Sequence, residues 1–343
     1  MSSPASSRPG RSSGRITLDD VARVSGVSPI TVSRTLRGER NVAPELSARV
    51  HAAVQKLGYV PNIAARALAS ARSSHVAVLI PSLTNALFVE LLEAVQSTLA
   101  SNSFQTLIGV THYRASDEET LLRSYLAQSP AGLLVTGFDR SDNARRMIAD
   151  SGVPCVHMME TTPQPGVYSV GLSQHAAGRV ITEHLLQRGH RRIAYVAGQL
   201  DPRVMQRLQG YRQALSDAGR YDPNLEVLDP APTSMALGAR LFEELLARQP
   251  DVDAIFFCND DLAQGALLSA LRMGVTVPQR VAVAGFNDLA GSDQMLPPLT
   301  TVRTPRSEIG KRAASMLLAL MRGETVNEGA VDLGFELVAR GSS

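Results

Sequence analysis

The sequence predicts an α/β protein, with a small all-helical unit at the N-terminus followed by a core of two doubly wound parallel-sheet lobes. Two short helices around a tight turn fit the first forty residues, and from residue 74 apolar strands alternate with amphipathic helices. The length of 343 residues suits two or three domains. Because about ten strands are too many for one comfortable open sheet, two similar lobes with a cleft between them are the simpler arrangement.

The first fifteen residues, MSSPASSRPGRSSGR, are rich in Ser, Arg, Pro and Gly and predict a disordered tail. They contain no hydrophobic segment of the kind that a signal peptide needs. No apolar run in the chain reaches membrane-spanning length. Cys155 and Cys258 each lie in an apolar run, which favours free buried thiols in a reducing compartment. We therefore expect a cytoplasmic protein without a membrane partner.

Residues 17–38, TLDDVARVSGVSPITVSRTLRG, predict a helix-turn-helix. Thr17 is a good N-cap and Gly26 suits a left-handed turn. Ser28 is expected to cap the second helix with Pro29 at its first position. Val32 and Leu36 would then face inward. The outward positions are Ile30, Thr31, Ser33, Arg34 and Arg37, on a helix of the size that a DNA major groove accepts. An ordinary helical hairpin is the alternative.

A third helix is predicted at 45–57, which completes a helical domain at 16–60. The segment 61–73 predicts a hinge helix and linker. In it Asn62 is a candidate cap for an Ala-rich helix at 63–69, which is too short to be stable alone in water. A segment with helical propensity and no core of its own is suited to folding on binding.

The core pattern begins at residue 74. Strands are predicted at 76–80, 105–109, 132–135, 154–157, 168–171, 192–196, 254–258 and 281–285. Helices between them include 88–101, 118–128, 177–188, 207–218, 236–248 and 262–273.

Charge is distributed unevenly along the chain. Residues 1–72 carry 11 basic and 4 acidic side chains, whereas the remaining residues carry 23 and 28. This asymmetry places a polyanion partner at the N-terminus. No phosphate loop, nucleophile elbow or metal-ligand spacing occurs, so we expect neither an enzyme nor a bound cofactor or metal.

Several motifs in a fixed order carry a family resemblance: LDDVARVSGVSPITVSR, YVPNIAARAL, LIPSLTNALFVELLEAV, RGHRRIAYVAG, FFCNDDLAQGAL, VAVAGFNDLA and PPLTTVRTP. The chain resembles the LacI/GalR family of bacterial transcription regulators over about residues 16–338. Within that family PSLTNALFVELLEAV, GYRQALSDAG, NDDLAQGA and DLGFEL are most similar to the gluconate-operon repressors.

The resemblance implies a DNA-binding headpiece, a hinge helix and a periplasmic-binding-protein-like core at 74–338, in a protein that is usually dimeric. Lobe 1 is expected at about 74–172 and 299–330, and lobe 2 at about 173–298 and 331–338, with a tail at 339–343. Lobe crossings are therefore expected near residues 172, 298 and 330.

The resemblance also implies how DNA is contacted. Pro29, Ile30 and Arg34 are expected at base edges, where Arg34 suits guanine and the apolar pair suits thymine methyl groups. Two-fold symmetry predicts a palindromic operator. Candidate phosphate contacts are Thr17, Ser28, Thr31, Ser33 and Asn41. In the hinge helix, Asn62 and Ala65 accompany Leu68, which matches the leucine that wedges open the central base step.

Polar residues after the predicted strands suggest an effector cleft at the carboxyl ends of the sheets. Packing, capping and surface positions are the alternatives for these residues, notably capping for Asn259 and Asp260 and a surface charge for Arg203. The candidates are Ser82, Phe88, Thr136, Glu160, Arg203, Arg207, Thr233, Ser234, Asn259, Asp260 and Asn287.

Charge in this cleft suggests the ligand. Asn287 stands where many sugar and purine sensors have Asp, while Arg203 and Arg207 add two positive charges that only Asp201 is expected to offset. We therefore expect a sugar acid, gluconate first and then 2-ketogluconate or 6-phosphogluconate. It would act as an inducer that opens the hinge and releases the operator.

Other interpretations stay open at this point. The ligand could be a neutral sugar, or it could act as a co-repressor. A regulator with an inactive cleft and a soluble sugar-binding protein of the same core fold are further alternatives.

Overall fold

The computed structural model describes residues 16–36, 42–60 and 73–343. The chain divides into two compact units, residues 1–71 and residues 72–343. The predicted tail at 1–15 and most of the predicted hinge segment, residues 61–72, lie outside the described residues. No helix in the described part of the chain is long and apolar enough to span a membrane.

The first unit contains α1 (Leu18–Ser25), α2 (Pro29–Leu36) and α3 (Pro44–Leu57). Thr17 and Asp20 form a capping box at the start of α1. Gly26 ends that helix with a φ of 65°, the left-handed conformation expected from the sequence. The Arg49 guanidinium of α3 donates to the carbonyl oxygen of Ser25 over 2.6 Å, which ties the turn to the third helix.

A small apolar core holds these helices together. Val21 on α1, Val32 on α2 and Val50 on α3 are fully buried against one another and against Tyr59. Thr35 is also buried, and its hydroxyl donates to the carbonyl oxygen of Thr31 over 2.9 Å. The opposite side of α2 is left exposed.

The first lobe of the second unit is a six-stranded sheet in the order β11-β5-β4-β3-β1-β2, with every pairing parallel. Its strands are β1 (His75–Ile80), β2 (Gln105–Val110), β3 (Gly132–Thr136), β4 (Cys155–Met159), β5 (Tyr168–Gly171) and β11 (Ala330–Asp332). The helices that accompany it are α4 (Leu87–Ser101), α5 (Ala115–Leu126), α6 (Asp142–Ser151) and α11 (Arg306–Met321).

The second lobe is a four-stranded parallel sheet in the order β7-β6-β8-β9. Its strands are β6 (Ile193–Ala197), β7 (Glu226–Leu228), β8 (Ala254–Phe257) and β9 (Ala282–Ala284). Its helices are α7 (Gln174–Gln187), α8 (Pro202–Asp217), α9 (Met235–Arg248) and α10 (Asp260–Met273). The short strands β10 (Thr301–Arg303) and β12 (Glu336–Val338) pair with each other in antiparallel fashion.

Two expected lobe boundaries need correction. Thr300 and Arg303 form parallel bridges to Ala284 and Asn287, so the chain stays with the second sheet through β10 rather than leaving it near residue 298. The β11 strand pairs with β5 through Asp332, so the later crossing follows residue 332 instead of 330. Strand pairing therefore places both crossings a few residues later than expected.

The expected tail at 339–343 is also wrong. Ser342 and Ser343 are buried. The Ser342 hydroxyl donates to the carbonyl oxygen of Val283 over 2.6 Å, and the Ser343 hydroxyl lies 2.8 Å from Nε2 of His184. These residues pack against the second lobe because their polar groups complete hydrogen bonds at its edge.

The helices α7 and α8 approach each other unusually closely. A Cβ atom at Gly178 would lie 2.3 Å from the carbonyl oxygen of Arg207, and one at Gly210 would lie 2.1 Å from that of His175. Two glycines thus let the backbones touch, and this close contact sets the position of Arg207 at the cleft.

The substitution Gly178→Ala tests this contact. Alanine at an open helical position stabilises by about 0.5–1 kcal/mol relative to glycine, but here the added methyl group must displace the α8 backbone. We expect a free energy of unfolding lower by about 1–3 kcal/mol in urea denaturation. Ser97→Ala, at an exposed position on α4, is the control and should change stability little. Equal stability of Gly178→Ala and the wild type would contradict the packing argument.

Candidate functional site

The carboxyl ends of the strands in the two lobes meet around two arginines of α8. Arg203 and Arg207 lie one helical turn apart, and each is only 4% exposed. Asp201 is the N-cap of that helix and Pro202 its first residue, which fixes where the helix starts. Both guanidinium groups therefore sit at the sheet edges, where doubly wound folds bind ligands.

Arg203 joins the two lobes through carboxylates. Its Nη1 donates to Asp139 over 3.1 Å and to Glu160 over 3.2 Å, both in loops of the first lobe. Its Nε lies 3.1 Å from the Asp201 carboxylate. Burial alone would lower the pKa of Arg203, but these three carboxylates raise it above its ordinary value. The guanidinium is charged and held from both lobes.

The surface alternative for Arg203 is therefore excluded, and one expectation about the charge around it is wrong. It is not a surface charge, and Asp201 is not the only acid that offsets the arginines. Asp139 and Glu160 follow β3 and β4 in the other lobe, so their contact with α8 depends on how the lobes pack. Three carboxylates around Arg203 leave that part of the cleft negative rather than positive.

Gly137 makes room for this ion cluster. Its φ is 64°, and a Cβ atom there would lie 2.2 Å from Nη1 of Arg203 and 2.5 Å from Oε2 of Glu160. The other oxygen of Glu160 accepts a hydrogen bond from Gln206 over 2.7 Å. Two side chains of α8, Arg203 and Gln206, therefore bind Glu160, and this contact holds the first lobe against the second.

Arg207 is held differently, by neutral groups. Its Nε donates to Gln174 over 2.9 Å and its Nη1 to Asn259 over 2.9 Å, while the guanidinium lies 4.0 Å from the ring centroid of Phe286. Nη1 also donates to the carbonyl oxygen of Cys258. Within the described ranges, Arg207 forms no ion pair with a carboxylate. Asp261 lies in the field of Arg207, which opposes the rise that burial causes in the pKa of Asp261, but the two side chains form no direct ion pair.

Asn287 lies beside this arginine. It is 1% exposed, and its side-chain amide donates to the Asn259 oxygen over 3.3 Å. The structure thus brings Arg207, Asn259 and Asn287 into one hydrogen-bonded group, next to the ion cluster that contains Glu160. Because Asn287 is neutral, it adds no negative charge to offset Arg207.

The remaining candidates are used within the protein. Asp260 is fully buried and accepts hydrogen bonds from Leu289 N over 2.6 Å, Thr301 over 2.7 Å and Ser292 over 3.0 Å. Burial raises the pKa of Asp260 to about 6, although these donors oppose the shift. Its carboxylate therefore anchors the loop from Leu289 to Thr301.

Five other candidates serve local structure. Phe88 is buried in the apolar core, and the Thr136 hydroxyl donates to the carbonyl oxygen of Leu79 over 3.1 Å. The Ser82 hydroxyl accepts from Thr84 N over 3.1 Å. Ser234 caps α9, and Thr233 hydrogen-bonds Asp261.

Two cleft residues, Tyr113 and Asp139, were not among the candidates predicted from the sequence. The Tyr113 hydroxyl hydrogen-bonds the Asn85 side chain and lies in the field of Asp201 and Arg203. Burial, together with the Asp201 charge, raises the pKa of Tyr113 to about 12. Tyr113 and Asp139 also line a cavity of about 30 Å³ with Thr136 and Glu118. Both residues follow strands in sequence, which is the signal that identified the other candidates.

Strained backbone conformations occur at the same carboxyl ends of the two sheets. Non-glycine residues with positive φ follow β2 at His112 and Tyr113, and follow β9 at Asn287 and Asp288. Such conformations cost free energy and persist where the surroundings fix them, often at functional sites. The loops that carry the cleft side chains are therefore held in defined conformations.

The exposed side of α2 carries the candidate DNA contacts. Ser28 caps the helix, accepting from Thr31 N over 3.2 Å, and Ile30 is 64% exposed. Pro29 and Arg34 are exposed and Ser33 is half-buried. Thr17 is engaged in its capping box. Asn41, Asn62, Ala65 and Leu68 lie outside the described residues.

Comparison with known proteins supports this arrangement. Residues 17–62 match the family described as "Bacterial regulatory proteins, lacI family", and residues 182–343 match "Periplasmic binding protein-like domain". The HTH-type transcriptional regulator GntR of Pseudomonas aeruginosa is 57% identical over 333 residues, 97% of each chain. The chain belongs to the LacI family of bacterial transcription regulators.

Two solved structures of this family agree. The transcription regulator GntR from Chromobacterium violaceum is 48% identical, with a TM-score of 0.77 over 78% of this chain and 99% of that one. The lac repressor dimer bound to operator and the anti-inducer ONPF is 26% identical, with a TM-score of 0.85 over 96% and 99%. The predicted family and fold class are confirmed: the chain is a DNA-binding LacI-family repressor, not an enzyme.

A buried polar cluster supports the loop that carries Asp139. Arg140 donates to Glu118 over 3.2 Å and to the carbonyl oxygen of Gly137 over 3.1 Å. Nδ1 of His157 lies 3.1 Å from Nη1 of Arg140 and 2.9 Å from the carbonyl oxygen of Gly137, and its ring stacks on Phe138 at 4.4 Å. Burial and the Arg140 charge lower the pKa of His157 to about 4.

This histidine predicts acid sensitivity. Between pH 6.5 and 4 the unfolded chain binds a proton at His157 that the folded chain does not, so acidification favours unfolding. The wild type should lose about 3 kcal/mol over that range relative to His157→Gln, which lacks the titrating group. Urea denaturation from pH 4 to 7 gives the free energy of unfolding of each protein. Subtracting one profile from the other cancels the contributions of groups that the two proteins share. Parallel profiles for the two proteins would rule out a neutral buried His157.

Proposed function

We propose that this repressor binds a palindromic operator as a homodimer and is released from it by a small sugar acid, gluconate first. The observation that carries the ligand class is Arg207, a buried guanidinium that neutral partners hold at the cleft. A carboxylate is the ligand group that complements such a cation, since the fork of the guanidinium matches its two oxygens.

The ion cluster around Arg203 supports a hydroxylated chain at the other end of the ligand. Arg203 is already matched by three carboxylates, so it does not attract a fourth. Carboxylate oxygens such as those of Asp139 and Glu160 accept hydrogen bonds from hydroxyl groups. A polyol chain with one acid end, directed to Arg207, therefore fits a cleft that is positive at one end and negative at the other.

Gluconate comes first among such acids because of the resemblance to gluconate-operon repressors. The relatives from Pseudomonas aeruginosa and Chromobacterium violaceum both carry the name GntR, which agrees with that resemblance. A phosphorylated acid would bring more negative charge near Asp139 and Glu160, and a neutral sugar would leave Arg207 unmatched.

Exposed apolar side chains support the homodimer. Leu83 and Val89 are about half exposed where α4 begins in the first lobe, and Leu271 and Met273 are exposed at the end of α10 in the second. A second copy of the chain would cover both patches, as expected for an interface that spans the two lobes.

Operator release tests the function directly. The full chain would be bound to footprinted DNA from its own promoter region and titrated with gluconate, 2-ketogluconate, 6-phosphogluconate and glucose at fixed salt, since phosphate contacts make the affinity salt-dependent. We expect release by gluconate at concentrations at which glucose has no effect. Tighter operator binding with gluconate would replace the inducer by a co-repressor, and release by glucose alone would refute the sugar acid.

Arg207→Met should strongly weaken effector binding. Removing a buried charge partner costs about 2–5 kcal/mol, so calorimetry should show gluconate binding at least about 30-fold weaker. Arg240→Met, an exposed arginine on α9, is the matched control and should bind gluconate normally. Operator binding without ligand, retained in both variants, shows that they are folded. Unchanged gluconate affinity in Arg207→Met would place the ligand carboxylate elsewhere.

Arg34→Ala should weaken binding to the operator more than binding to unrelated DNA. Loss of a bidentate guanine contact costs about 1–3 kcal/mol and relaxes sequence preference at that base pair. Arg23→Ala, on the exposed side of α1, is the control and should preserve the ratio of specific to non-specific affinity. A uniform loss on all DNA sequences would reassign Arg34 to a phosphate contact.

A further inference from the structure

Arg306 connects the two lobes at a point away from the ion cluster. It is the first residue of α11, which packs on the sheet of the first lobe. Its side chain is only 6% exposed. It forms a bidentate ion pair with Glu90 of α4, in which Nε and Nη2 donate over 3.1 and 2.9 Å. This fork fixes the guanidinium to the first lobe.

The same guanidinium holds the backbone of the second lobe. Nη1 donates to the carbonyl oxygen of Asn287, and Nη2 to that of Asp288 over 3.3 Å. These two residues have φ values of 110° and 52°, which side-chain-bearing residues rarely adopt. Arg306 is therefore one of the contacts that keep this strained turn in place.

A continuous series of hydrogen bonds runs from that turn into the cleft. The Asn287 amide donates to the Asn259 oxygen over 3.3 Å, and the same oxygen accepts from Arg207 over 2.9 Å. The cleft arginine is thus connected through Asn259, Asn287 and Arg306 to Glu90 on α4. Val89, beside Glu90, is about half exposed on the patch that we assign to the second copy of the chain.

We propose that Arg306 is a positioning residue that couples the effector cleft of the second lobe to α4 of the first lobe. The inference rests on the proposed release by a sugar acid. Arg306 does not contact the ligand. A ligand that engages Arg207 and Asn287 shifts the turn at Asn287 and Asp288, and the rigid fork of Arg306 carries this shift to Glu90.

The test compares wild type with Arg306→Met in the full-length repressor. Calorimetry gives the gluconate affinity of the free protein, and operator titrations with and without gluconate give the coupling between the two sites. Coupling of this kind commonly changes affinity about 5–150-fold, and the change is the same in both directions. In Arg306→Met we expect the coupling to fall below about threefold, with each separate affinity within about threefold of wild type.

Control variants separate coupling from general damage. Arg303 pairs with the Asp288 carboxylate over 2.8 Å and with Glu336, but does not contact Glu90, so Arg303→Met should retain wild-type coupling. Arg306→Lys keeps the charge without the fork and should couple weakly. Glu90→Gln should reduce coupling, and adding it to Arg306→Met should cause no further loss.

Each outcome decides between the hypotheses. Wild-type coupling in a folded Arg306→Met would overturn the inference and leave the effector site intact. If Arg306→Met does not fold, wild-type coupling in Glu90→Gln would overturn it, because that side chain is half exposed and tolerates substitution. A wild-type operator complex that responds to none of the acids would overturn the proposed release and this inference with it.

Discussion

The arrangement of the core depends first on the buried cation at Arg203. The Arg203 guanidinium of the second lobe is held by Asp139 and Glu160 of the first lobe and by Asp201 of its own helix. Removing a charge from water is costly, and breaking one side of a buried ion pair leaves the other side uncompensated at a cost of about 3–5 kcal/mol. The first lobe must therefore present its two acids at one place. Gly137 gives them room, and Arg140 and His157 hold the loop behind them.

This use of Arg203 changes the reasoning about the ligand. From the sequence, two arginines and an uncharged Asn287 suggested a cleft with a net positive bias, in which Arg203 and Arg207 would both bind the acid. In the structure the charges are separated: Arg203 lies among acids, whereas Arg207 lies among amides, a carbonyl group and an aromatic ring. The preference for an acid with a hydroxylated chain remains, but it now rests on one arginine with a defined orientation. The neighbouring acids supply a reason to accept hydroxyl groups rather than a second carboxylate.

The sequence predicted much of the fold because its signals are local. Periodic apolar residues placed the longer strands and helices, and Thr17, Gly26 and Ser28 marked the ends of the first helices. The strands β7, β10, β11 and β12 have three residues each and contain polar residues, so they lack the continuous apolar run that revealed β9, and they exist because neighbouring strands pair with them. The partners of Arg203 were missed for a related reason. Asp139 lies 64 positions away in sequence, and only the packing of the two lobes brings it within hydrogen-bonding distance.

Arg306 carries no sequence signal because its contacts, like those of Arg203, are long-range. At the start of a helix it looks like an ordinary solvated arginine, yet its partners are a side chain 216 positions earlier and two carbonyl oxygens of a strained turn. Both the Arg203 and the Arg306 contacts join the lobes, but they differ in what they grip. Arg203 binds carboxylates at the ends of flexible side chains, which adapt to small movements. Arg306 binds backbone that Asn287 shares with the cleft, so it responds to the conformation of the turn itself. A ligand that acts on Asn287 therefore alters the second contact directly, while the first holds the lobes in register.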